Sequence, residues 1–164
     1  MKSNRKIALV TGGAKRIGQA ICKMLHASGI DLMIHYRHSS EEAKNLQQEL
    51  NEIRKDSASI IQADLLNLNV LPSLIQETMN AYGRLDILIN NASSYYPTEI
   101  GKMNEKNWND LIGSNLKAPL FLSQLAADEL IKTKGCIINI TDTHIDLSLI
   151  HISEPTRQAE ISYA

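Results

Sequence analysis

The sequence predicts an α/β fold built on a doubly wound parallel sheet that is truncated after its fifth strand. Three observations support this fold class. Five short apolar runs, rich in β-branched residues as buried parallel strands are, alternate with longer stretches of helical period. A glycine-rich turn joins the first run to the first helical stretch, and the helical period stops after the fifth run. Such alternation places helices on both faces of a parallel sheet.

The strands and helices can be assigned in order along the chain. The predicted strands are residues 7–10, 32–35, 60–61, 87–89 and 137–140. Apolar positions three or four residues apart predict four helices. Their apolar faces carry, in turn, Ile17, Ala20, Ile21, Met24 and Leu25; Ala43, Leu46, Leu50 and Ile53; Leu71, Leu74, Ile75, Thr78, Met79 and Tyr82; and Trp108, Leu111, Ile112, Leu122 and Leu125. The fourth helix covers about residues 105–132, and Pro119 is expected to kink it.

Length and charge exclude several classes of protein. A chain of 164 residues with 43% hydrophobic side chains predicts one globular domain with a core of useful size. Seventeen basic and eighteen acidic residues give a net charge of −1, so binding to a nucleic acid is not expected. Residues 1–40 nevertheless hold seven Lys or Arg and one acid. This asymmetry favours a small anionic ligand near the N-terminal part of the chain.

Cysteine, histidine and hydropathy patterns predict a reduced, cytoplasmic protein. Cys22 and Cys136 are too few and too far apart for a disulfide framework, and the five histidines show no zinc-binding spacing with them, so no metal site is expected. The first apolar run is too short for a signal peptide, and no stretch is long enough to span a membrane. No membrane partner is therefore predicted.

The glycine-rich turn over residues 11–18 is the first candidate binding element. It reads Thr-Gly-Gly-Ala-Lys-Arg-Ile-Gly and lies between a strand and a helix, where exposed backbone amides favour a phosphate group. Nucleoside triphosphate binding of the Walker type is an alternative, but Gln19 and Ala20 stand where that motif requires Lys and Ser or Thr. An ordinary glycine-rich turn is a second alternative. The context favours a dinucleotide.

The end of the second strand predicts which dinucleotide binds. An NAD site usually presents a carboxylate here for the ribose 2′-hydroxyl, whereas residues 35–40 read His-Tyr-Arg-His-Ser-Ser and contain no acid. Arg37, with Lys15 and Arg16 from the first turn, can neutralise a 2′-phosphate, so NADPH is the predicted cofactor. A solvated basic turn is the alternative. Asp64, after the third strand, suits an adenine amino group, although such an aspartate is more often a helix cap.

Two polar clusters follow the fourth and fifth strands, over residues 90–97 and 139–144. Both fall at the carboxyl edge of the predicted sheet, where ligands of open α/β sheets bind. The paired tyrosines with Pro97 are also compatible with simple loop packing, and Asp142 is also compatible with a helix N-cap. The clusters therefore predict a substrate site, with these alternatives open.

Together these residues resemble the short-chain dehydrogenase/reductase family and, within it, the pteridine reductase branch. The family's marks are the turn at 11–18, Asp64, Asn90-Asn91-Ala92 and Asn115. The branch's marks are Arg16 in place of the usual middle glycine, the segments 35–39 and 91–98, and Asp142 where most relatives carry a catalytic serine. The resemblance covers residues 5 to about 146 and implies a Rossmann-like fold and, for the full-length protein, a homotetramer.

The resemblance also implies a role for each matching residue. The NADPH phosphates would be held by Gly12, Lys15, Arg16, Ile17, Gly18, His35, Tyr36, Arg37, His38 and Ser39. Asp64 and Leu65 would flank the adenine, and Asn91, Ala92 and Ser93 would line the nicotinamide side. Ser93 and Tyr95 would contact the substrate, with Tyr95 stacked on a pterin ring. Asn115 would brace the catalytic helix, and Asp142 would belong to a proton relay.

The implied reaction is hydride transfer from NADPH to a C=N bond of a dihydropterin or dihydrofolate-like substrate. One alternative is reduction of a carbonyl substrate such as a 3-oxoacyl carrier-protein thioester. A second, of another class, is a fragment that binds NADPH without catalysis.

The chain departs from the family after Asp142. No Tyr-x-x-x-Lys motif follows, because Tyr163 is succeeded only by Ala164, so we expect the chain as written to be inactive. Residues 147–157 and 161–164 read as the translation of a transposase-type sequencing adapter, and residues 158–160 fall where its variable index lies. A genuine divergent C-terminus is the alternative. The sequence thus predicts that residues 1–146 are the N-terminal part of a single NADP-binding Rossmann-like domain and that 147–164 are a non-native tail.

Overall fold

A computed structural model describes residues 5–141 of the chain. They form one five-stranded parallel sheet in the order β3-β2-β1-β4-β5. The strands are β1 (Ile7–Val10), β2 (Asp31–Tyr36), β3 (Ala58–Gln62), β4 (Ile87–Asn90) and β5 (Cys136–Asn139). The predicted α/β fold with its doubly wound sheet is confirmed, and every predicted strand overlaps an observed one.

The helices alternate with the strands. They are α1 (Arg16–Ala27), α2 (Ser40–Ile53), α3 (Leu71–Tyr82), α4 (Glu105–Ile112) and α5 (Ala118–Thr133), with a short 3-10 turn at Leu68–Val70. None of the helices within residues 5–141 is long and apolar enough to cross a membrane. In the same part of the chain, no group of three or more His, Cys, Asp or Glu side chains could hold a metal ion.

Strand order determines where a ligand can bind. From β1 the chain moves outward through β2 and β3, and it then returns to place β4 and β5 on the other side of β1. The helices that follow β1 and β4 therefore diverge, which leaves a crevice at the carboxyl ends of these two strands. Open α/β sheets bind their ligands at this point.

The sheet has a packed core on each face. Along β1, Ile7 and Leu9 point into one core, and Ala8 and Val10 point into the other, because successive side chains of a strand alternate between faces. All four are fully buried. The first core is completed mainly by α3 and α5, and the second by α1 and α2. Packing on both faces explains why the predicted strands read as continuous apolar runs.

The predicted apolar face of α1 is partly wrong. Ile17 and Met24 are 63% and 71% exposed, whereas the buried residues of the helix are Gly18, Cys22 and His26. Small residues at this contact allow the helix backbone to approach the sheet closely, and the Cys22 thiol donates to the Gly13 carbonyl at 3.6 Å. Burial raises the pKa of Cys22 to about 12, so the side chain remains a neutral thiol.

The predicted fourth helix is interrupted, and the interruption precedes Pro119. A π-helical turn at Gly113–Lys117 separates α4 from α5, and Pro119 lies in the first turn of α5. A proline is tolerated there because the first amides of a helix have no partner within it. Trp108, predicted on the apolar face, is 55% exposed. A π-turn often marks a functional position, and this one carries Asn115.

Two buried aspartates clamp the amino ends of the strands. Asp86, before β4, accepts the Ile7 N–H at 2.9 Å and pairs with the Arg84 guanidinium through both carboxylate oxygens, at 2.9 and 2.6 Å. Asp31, at the start of β2, accepts from Arg5 at 2.9 Å and from Arg54 at 3.2 Å. These bonds satisfy charges that would be costly to bury alone. The charged groups at the amino edge of the sheet are therefore engaged within the protein.

Replacing Asp86 with alanine is expected to lower the free energy of unfolding by about 3 kcal/mol, because the buried Ile7 N–H and Arg84 both lose their acceptor. Chemical denaturation of the purified protein measures the change. The control is Asp128→Ala on the exposed side of α5, expected to stay within about 0.5 kcal/mol of wild type. An equal loss of unfolding free energy in the two variants would contradict a stabilising role for the Asp86 bonds.

Candidate functional site

The turn between β1 and α1 is fastened to the segment after β4. The Thr11 hydroxyl accepts the N–H groups of Asn91 at 2.9 Å and Ala92 at 3.0 Å. In return, the Asn91 side-chain amide donates to the carbonyls of Thr11 at 2.9 Å and Gly12 at 3.1 Å. The two carboxyl ends at the strand-order reversal are therefore held in one rigid unit. Both sides of the crevice come from residues predicted to bind the dinucleotide.

Gly18 is required by the packing of this unit. A Cβ atom at Gly18 would lie 2.2 Å from the Gly12 carbonyl oxygen and 2.7 Å from the Asn91 side-chain nitrogen. Gly12 itself has a φ of +62°, which glycine adopts without strain. The start of α1 can therefore approach the turn closely. No side chain caps this end of α1, so its first amides are available to an anion.

Arg16 adopts a backbone conformation that is unfavourable for its side chain. Its φ is +50°, in the left-handed region, and its side chain is exposed. A strained backbone at a non-glycine residue is typical of a functional position. The neighbouring Lys15 pairs with Glu42 of α2 at 2.6 Å, and this hydrogen bond lowers the pKa of the Glu42 carboxyl. Arg16 thus adds positive charge where α1 begins.

The predicted phosphate-binding segment 35–39 divides into two parts. His35 and Tyr36 are 2% and 7% exposed, so their side chains belong to the interior. Arg37, His38 and Ser39 reach the surface, and Ser39 precedes α2 without making a side-chain cap. Only the second part of the segment is open to a ligand from solvent.

Arg37 lies between two carboxylates. Its guanidinium donates to Asp64 at 2.9 Å and lies 3.8 Å from Asp110 of α4. The buried Nε–H of Arg37 has no hydrogen-bond partner within the described part of the chain. Arg37 and Asp110 border a cavity of about 640 Å³ that is also lined by His38 and Tyr96. Asp110 was missed by sequence analysis, because one acid on a polar helix face gives no distinguishing signal.

A second cavity, of about 760 Å³, opens between the ends of β4 and β5 and the helices at the π-turn. Its lining includes the predicted Asn91, Ala92, Ser93, Tyr95 and Asn115, together with Ile17 from α1. Its volume suits a small organic ligand. The Tyr95 ring is 88% exposed and so is free to contact one.

Asn115 holds the segment that carries Tyr95. Its side-chain oxygen accepts the Ser94 N–H at 3.0 Å, and its side-chain nitrogen donates to the Ser94 carbonyl at 2.8 Å. The Asn115 side chain thus satisfies both backbone groups of Ser94, as a residue on a neighbouring β-strand would. In the same cavity, the side chain of Asn90 donates to Asn139 at 2.8 Å and to Ser123 at 3.2 Å. Ser123 was not predicted, since a serine within a helix is not a distinctive signal.

Leu65 and Asp64 follow β3 on the adenine side of the predicted site. Leu65 is 7% exposed and packs in the first core, and Asp64 accepts the Leu66 N–H at 3.1 Å in addition to its bond with Arg37. Asp64 thus closes the turn after β3 and is the partner of Arg37. It is not the helix cap that was the alternative, because Asn67 caps the 3-10 turn that follows. Asp142 and the tail at 147–164 lie outside the described residues.

Comparison with known proteins identifies the family. The family model for short chain dehydrogenase matches residues 6–153, and the chain belongs to this family. Pteridine reductase 1 of Leishmania tarentolae is 34% identical to this chain over an alignment of 174 positions, gaps included. The alignment covers 83% of this chain and 60% of that protein. A 3-oxoacyl-[acyl-carrier-protein] reductase of Staphylococcus aureus is 32% identical over 137 residues, covering 83% of this chain and 55% of that protein.

These findings confirm the predicted family, whose members use a nicotinamide cofactor. The chain spans between half and two thirds of the length of these relatives, at 60% and 55%. The two relatives are similarly identical to the chain, and their names give different substrates.

Gly18→Ala is expected to weaken NADPH and NADH binding at least about tenfold. The added methyl group displaces the Gly12 carbonyl, and the loss of even one amide–phosphate contact has this effect. Titration calorimetry measures both affinities.

Gly29→Ala is the matched control. Gly29 has a φ of +84° and no atom within 4 Å of an added Cβ, so its variant adds a methyl group and local backbone strain outside the site, without the collision that Gly18→Ala causes. If both variants bind the dinucleotides as wild type does, the site does not depend on this packing.

Proposed function

We propose that this chain carries the dinucleotide site of an NADPH-dependent short-chain reductase whose substrate is a dihydropterin or a dihydrofolate-like molecule. The observation that carries the proposal is the contact of Gly18 with the Gly12 carbonyl and the Asn91 side chain. It brings the uncapped start of α1 to the crevice between β1 and β4, where a pyrophosphate would meet free amides.

The preference for NADPH rests on the charges that surround the adenine end of this crevice. Residues 35–40 offer no carboxylate to a ribose 2′-hydroxyl, whereas Arg37 and Arg16 offer guanidinium groups. Arg37 uses one nitrogen for Asp64, and its Nε–H has no partner within residues 5–141. A 2′-phosphate would satisfy this donor once the side chain turns toward it.

The substrate would occupy the 760 Å³ cavity beside Asn91, Ala92 and Ser93. When bound, NADPH supplies a hydride. Tyr95, held in position through the bonds between Asn115 and Ser94, offers an exposed ring on which a flat heterocycle can stack. We propose from the sequence that Asp142 relays the proton that a ring nitrogen must gain when the adjacent carbon receives hydride.

The dihydropterin substrate is supported by Tyr95 and Asp142 and by the similarity to a pteridine reductase. A second candidate, reduction of a 3-oxoacyl thioester on a carrier protein, is favoured by the similarity of 32% to a 3-oxoacyl reductase. A fragment that binds NADPH without catalysis is the third candidate. Parallel assays of the full-length protein with dihydrobiopterin and an acetoacetyl thioester separate the first two candidates. NADPH binding without turnover of either substrate would indicate the third.

We further propose a homotetrameric, cytoplasmic protein. Phe121 and Leu125, which lie four residues apart on one face of α5, are 38% and 39% exposed and do not line the 760 Å³ cavity. Apolar side chains grouped in this way favour an interface between subunits.

Arg37→Ala is expected to weaken NADPH binding about tenfold and to leave NADH binding unchanged, because only NADPH carries the phosphate that a lost charge-assisted bond would affect. Lys106→Ala is the matched control, since Lys106 lines the same cavity on α4. Binding is measured by quenching of protein fluorescence. Equal losses for both cofactors would contradict a 2′-phosphate contact.

Tyr95→Ala is expected to raise KM for dihydrobiopterin about tenfold without altering the Kd for NADPH, because the ring would stack on the substrate alone. Tyr95→Phe keeps the ring and should retain the KM of wild type. Steady-state kinetics of the full-length protein give KM, and fluorescence quenching gives the Kd for NADPH. An unchanged KM in the alanine variant would remove Tyr95 from the substrate site.

A further inference from the structure

We propose that His35 is a positioning residue, a neutral imidazole that joins the Gly12 turn to the loop before Asp64 and sets the shape of the dinucleotide site without touching the dinucleotide. The inference rests on the proposed function, because it assumes that a dinucleotide binds at this turn. It gives the buried histidine a role different from direct contact with the phosphates.

The geometry of His35 connects two segments distant in sequence. The residue lies near the end of β2 and is 2% exposed. Its Nδ1 accepts the Gly12 N–H at 3.2 Å, and its Nε2 lies 3.1 Å from the Ala63 carbonyl oxygen. Its own backbone carbonyl accepts the Gly13 N–H at 2.9 Å. Side chain and backbone of this residue therefore both hold the glycine-rich turn.

The partners of the ring define its protonation state. The Gly12 N–H is a donor, so Nδ1 must present a lone pair to it, and the Ala63 carbonyl is an acceptor, so Nε2 must carry the hydrogen. Only the neutral Nε2–H tautomer meets both conditions. A proton added to Nδ1 would face the Gly12 N–H, and two donors would then oppose each other inside the protein.

Protonation of His35 would affect both segments that form the proposed dinucleotide site. Gly12 has a φ of +62°, and its carbonyl contacts both Gly18 and the Asn91 side chain. Ala63 directly precedes Asp64, which holds Arg37. Protonation of His35 would release the Gly12 amide and so disturb the turn that packs against α1. Leaving a buried N–H without an acceptor has an effect of about tenfold on an equilibrium.

The surroundings keep the ring neutral near pH 7. Burial lowers the pKa of His35 below its ordinary value of 6.5, while the Ala63 carbonyl and the Asp64 carboxylate act in the opposite direction. The charged group that faces the ring is Asp64, which follows β3. The turn after β1 presents only the backbone of Gly12 to the ring, and the next residue of β2 is Tyr36. Because the pKa is lowered in the folded protein, the ring is mostly neutral at pH 6.5, and the bridge weakens only as the pH falls through this lowered pKa.

The test measures the Kd for NADP⁺ between pH 8 and 4.5 in wild type and in three variants. His35→Asn supplies an amide oxygen near the place of Nδ1 and does not titrate, so it should bind within about threefold of wild type at pH 8. His35→Phe keeps a ring but offers no acceptor, and it should bind about tenfold more weakly at every pH. Thermal melting confirms that each variant is folded.

The expected result is an extra acid-side loss of affinity in wild type, relative to His35→Asn, that sets in as the pH falls through the lowered pKa of His35 and grows toward about tenfold as the ring becomes protonated. The titration of the ligand's own 2′-phosphate is common to all the proteins and cancels in this ratio. His26→Asn is the control: His26 is a second buried histidine, bonded to Ser57 at 2.7 Å at the other edge of the sheet, and this variant should keep the acid-side loss of wild type.

A spectroscopic measurement checks the tautomer without any ligand. The ¹⁵N shifts of the His35 ring at pH 7.5 should be those of a neutral ring with hydrogen on Nε2. Hydrogen on Nδ1, or an equal acid-side loss in wild type and His35→Asn, would overturn the inference alone. If wild type binds NADP⁺ at no pH, the proposed function fails and this inference fails with it.

Discussion

The contact between Gly18 and the Gly12 carbonyl is the constraint on which the rest of the site depends. A Cβ atom at Gly18 would lie 2.2 Å from that oxygen, so the helix start can approach the turn only because a side chain is absent. This approach brings the free amides of α1 to the point where the strand order reverses. The Thr11 and Asn91 bonds then fix the opposite wall of the crevice to the same turn.

The amino and carboxyl edges of the sheet differ in the interactions of their polar groups. At the amino edge, buried Asp31 and Asp86 are fully engaged by arginines and by a strand amide, and this edge serves stability. At the carboxyl edge, the polar groups come from turns and strand ends, and they line two cavities. Arg37 joins the two cavities indirectly, because Asp110 approaches its guanidinium and also accepts from Ser94 at 3.4 Å. The regions proposed to hold the adenine and the substrate are therefore linked through Asp110 of α4.

The sequence predicted the strands and the glycine-rich turn, because local patterns determine both. It was wrong about α1, where the contact with the sheet is made by Gly18 and Cys22 while Ile17 and Met24 remain exposed. A rule based on apolar period cannot detect a contact made by small residues. The role of His35 was also not predictable, since its partners Gly12 and Ala63 lie 23 and 28 residues away and meet only in the folded sheet.

The most direct test of the account is to map the bound dinucleotide on the protein by amide chemical shifts during titration with NADPH. If the dinucleotide binds in this crevice, the shifts concentrate at the Gly12–Gly18 turn, at residues 37–39 and 64–65, and at residues 91–93, where the two walls of the crevice meet. Titration with NADH should reproduce these shifts except at residues 37–39. Shifts centred on the amino edge around Asp31 and Asp86, or none at the turn, would contradict the account.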